Sequence, residues 1–239
     1  MKYTSKLINA KRQQGFTLVE IAIVLMIIGL LIGGMLRGQE LITSARVRNI
    51  IDQKSAIQTA QIGFMDRYRM MPGDLTAAQA AIVGNGAAGG VWGGNSTFLI
   101  TDSSALYFQN LVAAGFLSCA ACNAVGAVAA SAANSPVNVF GGVVRVGQAT
   151  GTADAAAGEF LNEAGAAPLR LVMSTGAGVD SGILREVDLK ADDGRPGTGS
   201  LRYGNFDANA GLATCVNGVA PALAWITPVA ANCEGAWLL

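Results

Sequence analysis

The chain has 239 residues, of which only 13% are charged, and 16 basic residues balance 16 acidic ones. It contains no histidine, which removes the commonest general base and transition-metal ligand and argues against an enzyme. The balanced charge, without a long basic run, argues against a nucleic-acid-binding protein. The length suits a membrane helix followed by one globular domain.

The chain begins with a polar, basic segment that has no apolar core of its own. Its cations, Lys2, Lys6, Lys11 and Arg12, are accompanied by no acidic residue. A secretory signal would instead contain an apolar region of roughly 7–15 residues before its cleavage site. Only Arg37 follows the next apolar run closely, and this asymmetry predicts a cytoplasmic N-terminus and an external C-terminal domain. An uncleaved signal anchor fits the same facts.

An apolar run extends from Phe16 to Leu36 and includes only two strongly polar residues, Thr17 and Glu20. About 20 apolar residues in a helix span the hydrocarbon core of a bilayer, so the run predicts a transmembrane helix. A carboxylate inside a membrane is costly, and an ionisable residue there usually has a functional partner. The run therefore predicts a specific role for Glu20.

The residues around the start of this run, Gln14-Gly15-Phe16-Thr17-Leu18-Val19-Glu20-Ile21, resemble the cleavage and methylation motif of type IV prepilins and secretion pseudopilins. In that family a membrane aspartyl peptidase cuts after the glycine and methylates the new amine. The resemblance implies leader cleavage between Gly15 and Phe16, N-methylation of Phe16, and no catalytic residues. It also implies membrane lipid as the first environment, then a filament of identical or sibling subunits, served by prepilin peptidase and an inner-membrane assembly platform.

The spacing between Phe16 and Glu20 supports a role in assembly. Residues four apart lie on the same helix face, one turn from each other. If subunits pack with a vertical offset, Glu20 of one subunit meets the cationic amine at Phe16 of its neighbour, which offsets the cost of burial and selects a register. A carboxylate that snorkels toward headgroups is the alternative. Gly29 and Gly33 add a Gly-x-x-x-Gly spacing, which allows close helix packing in lipid.

Beyond Leu36 the pattern becomes amphipathic and predicts that the helix continues to about Arg69. Apolar residues such as Val47, Ile50 and Ile57 recur at spacings of three and four, and Met71-Pro72-Gly73 ends the pattern. Many major pilins carry a helix-kinking proline just past the apolar run, whereas this chain has none before Pro72. Interspersed basic residues predict a solvated face with local ion pairs rather than a DNA- or lipid-binding face: Arg46, Arg48, Lys54, Arg67 and Arg69.

The remaining chain predicts an α+β domain, in which the long helix packs on a small antiparallel sheet of the type IV pilin kind. A helix is expected from Ser103 or Ser104 to Gly115, and Gly182 to Ala191 favours a helix over a strand. Strands are expected at Val137–Val146 and Leu169–Met173, with an edge strand at Leu201–Tyr203. The predicted organisation is a cleaved leader (1–15), a transmembrane assembly helix (16–36), its amphipathic continuation (37–71) and an external globular domain (72–239).

Four cysteines, Cys119, Cys122, Cys215 and Cys233, predict disulfides in an oxidising compartment. The pair Cys215 and Cys233 resembles the bridge that closes the C-terminal region of type IV pilins. Cys119-Ala-Ala-Cys122 has the spacing of a redox pair, but no thioredoxin-like βαβ pattern surrounds it, which favours a short structural disulfide. Zinc held by all four thiolates is not expected outside the cytoplasm.

Carboxylates gather around a turn at Asp188, Asp192 and Asp193. Calcium binds six to eight oxygen ligands, and some pseudopilins carry a calcium loop near the C-terminus, so these residues are calcium candidates. Their spacing does not match the Asp-x-Asp-x-Asp-Gly pattern, and Lys190 and Arg195 reduce the negative charge. A helix C-terminus followed by a turn is the favoured interpretation.

The sequence therefore predicts a structural subunit of a type IV pilus or pilus-like filament, first in the bacterial inner membrane and then in a periplasmic or cell-surface filament. A pseudopilin of a type II secretion system is the alternative within the same class. A minor pilin that acts as an adhesin or DNA-binding tip module is another, and it predicts an exposed aromatic patch, for which Trp92, Trp225 and Trp237 are the candidates. An enzyme is not expected, since no Gly-x-Ser-x-Gly motif or metal-ligand cluster is present.

Overall fold

A computed structural model describes residues 16–84, 99–100, 104–123, 129–207 and 209–239. The leader with Gly15, Trp92 and Ser103 lie outside the described residues. The chain divides into two compact units, Met1–Thr43 and Ser44–Leu239.

Helix α1 spans Leu18–Tyr68 without interruption, which confirms the predicted long N-terminal helix. Its end follows from local geometry, because Arg69 adopts a positive φ of 57° and Gly73 one of 88°. Positive φ interrupts a right-handed helix, and glycine adopts it without steric cost. In the first unit, every residue of the apolar run from Phe16 to Leu36 is exposed.

In the second unit, one stripe of α1 enters the hydrophobic core. Val47, Ile50, Ile57 and Phe64 are at most 2% exposed and recur at spacings that place them on one face. Gly63 has no Cβ, and one placed there would lie 2.9 Å from the ring of Phe116. The stripe therefore anchors the C-terminal half of α1 in the globular domain.

Four shorter helices follow: α2 (Ala77–Ile82), α3 (Ser104–Ala113), α4 (Ser181–Ala191) and α5 (Leu212–Cys215), with a 3₁₀ turn at Ala121–Asn123 between α3 and α4. The helices predicted near Ser104 and at Gly182–Ala191 are confirmed. Helix α3 is buried from Ser104 to Leu111. The Tyr107 hydroxyl donates to Gln61 Oε1 of α1 at 3.1 Å, which joins these two helices through a buried polar contact.

Five strands form a closed sheet in the order β1–β2–β4–β7–β3. Their bounds are β1 Val146–Thr152, β2 Glu159–Leu161, β3 Ala167–Ser174, β4 Leu201–Asn205 and β7 Gly235–Leu238, while β5 (Val216–Asn217) and β6 (Ala224–Trp225) form a separate pair. Strand β3 confirms the prediction at Leu169–Met173. Met173, Tyr203 and Trp237 from three of these strands lie in the core.

The expectation of an antiparallel sheet is corrected in two respects. Strand β1 pairs with β2 in parallel, at Gly151 opposite Phe160. The sheet also closes on itself because β1 pairs with both β2 and β3. The strand predicted at Leu201–Tyr203 is confirmed as part of β4, but its predicted position at an edge is wrong, since β4 lies between β2 and β7 and closure leaves it no free edge.

The strand predicted at Val137–Val146 is also wrong, because regular pairing begins only at Val146. Asn138 accounts for the difference. Its Oδ1 accepts from the backbone N–H groups of Phe140 and Gly142, and its Nδ2 donates to the carbonyl of Thr175. An asparagine that bonds nearby backbone groups offers an alternative to a strand ladder.

Candidate assembly site

The N-terminus of α1 is closed by a capping box built from Thr17 and Glu20. The Thr17 N–H donates to Glu20 Oε2 at 2.9 Å, and the Glu20 N–H donates to Thr17 Oγ1 at 3.3 Å. The Thr17 hydroxyl also donates to Glu20 Oε2 at 3.0 Å. This reciprocal pattern satisfies two of the N–H groups that have no partner in the first helical turn.

The capping box gives Thr17 a structural role that sequence reasoning did not assign. Thr17 positions the Glu20 carboxylate, and the signal for it was present as Thr-x-x-Glu directly before an apolar run. Both bonds that the Glu20 carboxylate accepts use Oε2, and within the part of the chain that the structure describes, Oε1 accepts none. The carboxylate can therefore cap its own helix through Oε2 while Oε1 remains available to accept from a further donor.

The helix behind this cap presents apolar surface on all sides. Phe16 is 83% exposed and Leu18 is 88% exposed. By length and composition, α1 is the described helix that could cross a membrane. An extended apolar surface of this kind marks a membrane or protein contact rather than a face in water.

Glycines in the apolar run have no packing partner among the described residues. A Cβ at Gly29, Gly33 or Gly34 would meet no atom of the described chain within 4 Å. Glycine lowers helix stability relative to alanine, so neither helix stability nor packing within the described chain explains these residues. Close approach of another helix would supply the reason.

Two disulfides are present in the globular domain. Cys215 is joined to Cys233 and Cys119 to Cys122, so every cysteine is paired. The Cys215–Cys233 bridge joins the last residue of α5 to the segment just before β7, and the chain between the two cysteines contains the β5–β6 pair. The bridge thereby holds α5 next to the start of the C-terminal strand of the closed sheet.

The three aspartates that were calcium candidates lie together after α4. One carboxylate oxygen from each lies within 4.8 Å of the others. Asp192 Oδ2 accepts from the backbone N–H of Leu201 at 2.8 Å, and Asp193 Oδ2 accepts from the Thr198 hydroxyl at 2.6 Å. Protein donors thus already occupy these carboxylates, as a helix C-terminus and turn requires. Calcium at this position remains a prediction, and the hydrogen bonds favour the turn.

Asp188 is fully buried and links α4 to the C-terminal region. Its Oδ2 accepts from Trp225 Nε1 at 2.7 Å, and its Oδ1 accepts from the Gly194 N–H at 3.1 Å. Burial raises the pKa of Asp188 to about 6, although the two donors act in the opposite direction. Arg195, which could have neutralised the cluster, instead pairs with Glu163 at 2.7 Å.

A second buried carboxylate, Glu234, lies directly after Cys233 and had not been singled out from the sequence. Its Oε2 accepts from the backbone N–H groups of Phe206 and Asp207 at 3.0 and 3.1 Å. Burial raises the pKa of Glu234 above its usual range. These contacts hold the turn after β4 against the start of β7, which is a structural role.

The features expected of a binding tip are not assembled in the described residues. Trp225 and Trp237 are each 2% exposed, so both belong to the core rather than to a surface patch. The Lys54 ammonium lies over the Trp237 ring, and the Arg46 guanidinium over the Phe140 ring, at 5.5 and 5.3 Å from the ring centroids. These two cations contact aromatic rings of the chain itself, whereas Arg69 forms a local ion pair with Asp66 at 3.5 Å, as the predicted solvated face requires.

A comparison with known protein families bears on the N-terminal site. Residues 10–36 match the family model of the prokaryotic N-terminal methylation motif. This motif is the signature of type IV pilins and pseudopilins, and it supports a member of the type IV pilin-like or pseudopilin family. Families with this motif are usually structural rather than enzymatic, and the single apolar helix fits membrane anchoring. Neither the curated proteins nor the solved structures contained a match to the chain.

Proposed function

We propose that this chain is a prepilin, the precursor of a structural subunit in a type IV pilus or pilus-like filament. The main support is the methylation motif at residues 10–36, whose described part, residues 16–36, leads into helix α1 and is exposed at every position. Prepilin peptidase cuts after Gly15 and the new amine at Phe16 is methylated. The mature subunit remains in the inner membrane with its domain outside until assembly.

Assembly then moves the apolar run of α1 from membrane lipid into contact with other subunits. The apolar run leaves lipid and packs against the same run in neighbouring subunits, either identical copies or siblings. Glu20 contributes register, because its carboxylate pairs with the amine at Phe16 of the next subunit in a medium of low dielectric. The open Oε1 and the uncovered glycines support this proposal, since each is a feature that a single chain does not use.

Processing is tested by the mass of the mature N-terminus. The full chain is produced with and without prepilin peptidase, and the N-terminal peptide is analysed by mass spectrometry. We expect a peptide that begins with methylated Phe16 only when the peptidase is present. An uncut chain, or a cut at another bond, would refute the proposal.

The role of Glu20 is tested with Glu20→Gln. Glutamine can replace glutamate in a capping box, so this change keeps the helix cap while removing the charge. We expect normal insertion and cleavage but loss of most filament yield. The matched control is Glu40→Gln, which removes an exposed carboxylate from the same helix that pairs only with Arg37. Normal filaments from Glu20→Gln would show that its charge does not direct assembly.

A pseudopilin of a type II secretion system is the second candidate, and one observation favours it. Helix α1 runs from Leu18 to Tyr68 without the proline that many major pilins carry. Purified surface filaments distinguish the two. A pilin is expected to be a main component of these filaments, whereas a pseudopilin is expected to be absent from them and to be required for export of secreted proteins.

A further inference from the structure

The two disulfides differ in how exposed their cysteine residues are. Cys215 and Cys233 are both fully buried. In the other bridge, Cys122 is fully buried but Cys119 is only half-buried and lies at the margin of the core. A thiolate must reach a sulfur atom to exchange with a disulfide, so exposure makes Cys119 the atom open to attack.

Cys119 lies in a tight turn and beside a surface groove that a partner segment could occupy. The Cys122 N–H donates to the Cys119 carbonyl at 3.2 Å, in a tight turn that keeps both residues in place. The groove runs beside Cys119, and none of the described residues that line it is charged. The groove is lined by Gln53, Ala56 and Ile57 of α1 and by Leu117, Ser118 and Pro136.

We propose that Cys119–Cys122 is a thiol–disulfide exchange site, and that its partner is a protein dithiol whose cysteine-bearing segment is apolar and lies in this groove. The described lining is uncharged and largely apolar, so an apolar protein segment buries apolar surface there. A free charged thiol such as glutathione buries little apolar surface and is therefore a less favourable partner. The site is independent of the filament role, because it uses no residue of the apolar run.

The exchange proceeds in two steps. A thiolate of the partner attacks Cys119 Sγ, so that an intermolecular disulfide forms as the Cys119–Cys122 bond breaks, and the electron pair leaves on Cys122 Sγ, which takes a proton. The partner's second thiolate then attacks the sulfur of the partner's first cysteine in the mixed disulfide. The partner's two cysteines become joined, and Cys119 is released as a thiolate. The bridge gains two electrons and the partner dithiol becomes a disulfide. Cys122, held beside Cys119, reverses the first step whenever the second is slow.

The first experiment compares the two bridges in one protein. The full chain in detergent is incubated in dithiothreitol buffers of graded strength at neutral pH, and free thiols are alkylated and mapped by mass spectrometry. We expect Cys119 and Cys122 to be labelled while Cys215 and Cys233 remain joined. Opening of both bridges together, or of neither before unfolding, would refute a selective exchange site.

The second experiment measures capture at each sulfur. Cys122→Ser leaves Cys119 free, and Cys119→Ser leaves Cys122 free. Each variant reacts with an apolar peptide whose single cysteine carries a thionitrobenzoate group, and release of that group is followed by absorbance. Because only Cys119 is open to solvent, Cys122→Ser should react at least about tenfold faster. Near-ultraviolet circular dichroism verifies that both variants are folded, and equal rates in folded variants would contradict the proposal.

The groove is tested in the Cys122→Ser background. Ala56→Asp places a charge in the lining, whereas Thr59→Asp places one at an exposed position of α1 outside the lining. We expect Ala56→Asp to slow capture of the apolar peptide severalfold and Thr59→Asp to leave it nearly unchanged. Equal slowing by both variants would show that no protein segment is recognised in the groove.

Discussion

At the scale of single residues, Glu20 meets two demands. Within the subunit it caps its own helix through Thr17, and in the proposed filament it pairs with an amine of the next subunit. The two roles use different properties of one side chain, since a cap requires an acceptor and ion pairing requires charge. Substitutions at Thr17 and Glu20 can therefore separate them.

Thr17→Ala is expected to remove the cap but leave the charge. Loss of an N-cap side chain costs about 1 kcal/mol of helix stability. Cleavage and filament yield should nevertheless stay close to normal, because Glu20 keeps its carboxylate. Mass spectrometry of the N-terminus and quantification of sheared filaments measure both, with Thr43→Ala, another threonine of α1, as the control. A loss of filaments as large as that from Glu20→Gln would instead make the cap essential to assembly.

Buried carboxylates predict how stability depends on pH. Burial raises the folded-state pKa of Asp188 to about 6, and it also raises the pKa of Glu234. A carboxyl group with a raised pKa binds its proton more tightly in the folded state than in the unfolded state. Its contribution is therefore most favourable below the usual carboxyl pKa and is lost as pH rises through about 6.

The free energy of unfolding should accordingly fall between pH 4 and pH 7, with Asp188 contributing at most about 3 kcal/mol at about 1.4 kcal/mol per pKa unit. Chemical denaturation of the full chain across this range measures the change. Asp188→Asn should reduce the pH dependence, whereas Asp154→Asn, at an exposed position, should not. A pH dependence that is unchanged in Asp188→Asn would contradict the assignment.

At the scale of elements, the two disulfides close loops of different length. Cys215 and Cys233 are 18 residues apart, whereas Cys119 and Cys122 are separated by 3. In the chain-entropy model, a longer closed loop restricts the unfolded chain more. The C-terminal bridge is thus the main covalent support of the domain, and the short bridge can open at less cost to stability.

Removal of each bridge by a pair of serine substitutions measures this difference. Loss of Cys215–Cys233 should lower the free energy of unfolding by about 3 kcal/mol, and loss of Cys119–Cys122 by about 2 kcal/mol. Chemical denaturation under non-reducing conditions gives both values. A larger loss from the short bridge would assign it the main structural role and weaken the case for exchange at Cys119.

At the scale of the whole molecule, the apolar run presents a surface that the described chain leaves uncovered. The globular unit buries its own stripe of α1, but Gly29 and Gly33 of the first unit meet open space. Lipid separates such helices before assembly, and small residues allow close contact once they pack. Packing in the filament should therefore be sensitive to side-chain size on one face of the run.

Gly33→Leu is expected to leave insertion and cleavage unchanged and to lower filament yield severalfold, because leucine suits lipid but prevents close helix approach. Gly29→Leu should act in the same way, since it lies on the same face. Gly34→Leu is the matched control, as its Cβ would also meet open space but points to another side of the helix. Equal defects in all three variants would contradict a specific packing face.

Several features could be predicted from the sequence because they depend on residues close together in the chain. The motif around Gly15, Phe16 and Glu20 is a contiguous pattern, and residues 10–36 match a known motif. Helix α1 follows from sustained periodicity without proline, and β3 from a short alternating run. The capping box was equally local, although its threonine was not recognised.

Only the tertiary structure decided the remainder, because those features depend on residues distant in the chain. Strand β1 contains two glycines, Gly147 and Gly151, and gains its pairing from β2 and β3 rather than from its own propensity. Closure of the sheet and the bond from Trp225 to Asp188 arise in the same way, whereas both cysteine pairings were predicted from the sequence and are confirmed. The sequence by itself determined where the chain carries its long apolar helix and its motif, since both depend on adjacent residues. Long-range contacts determined the sheet and the partial exposure of Cys119, since burial is a property of the folded chain.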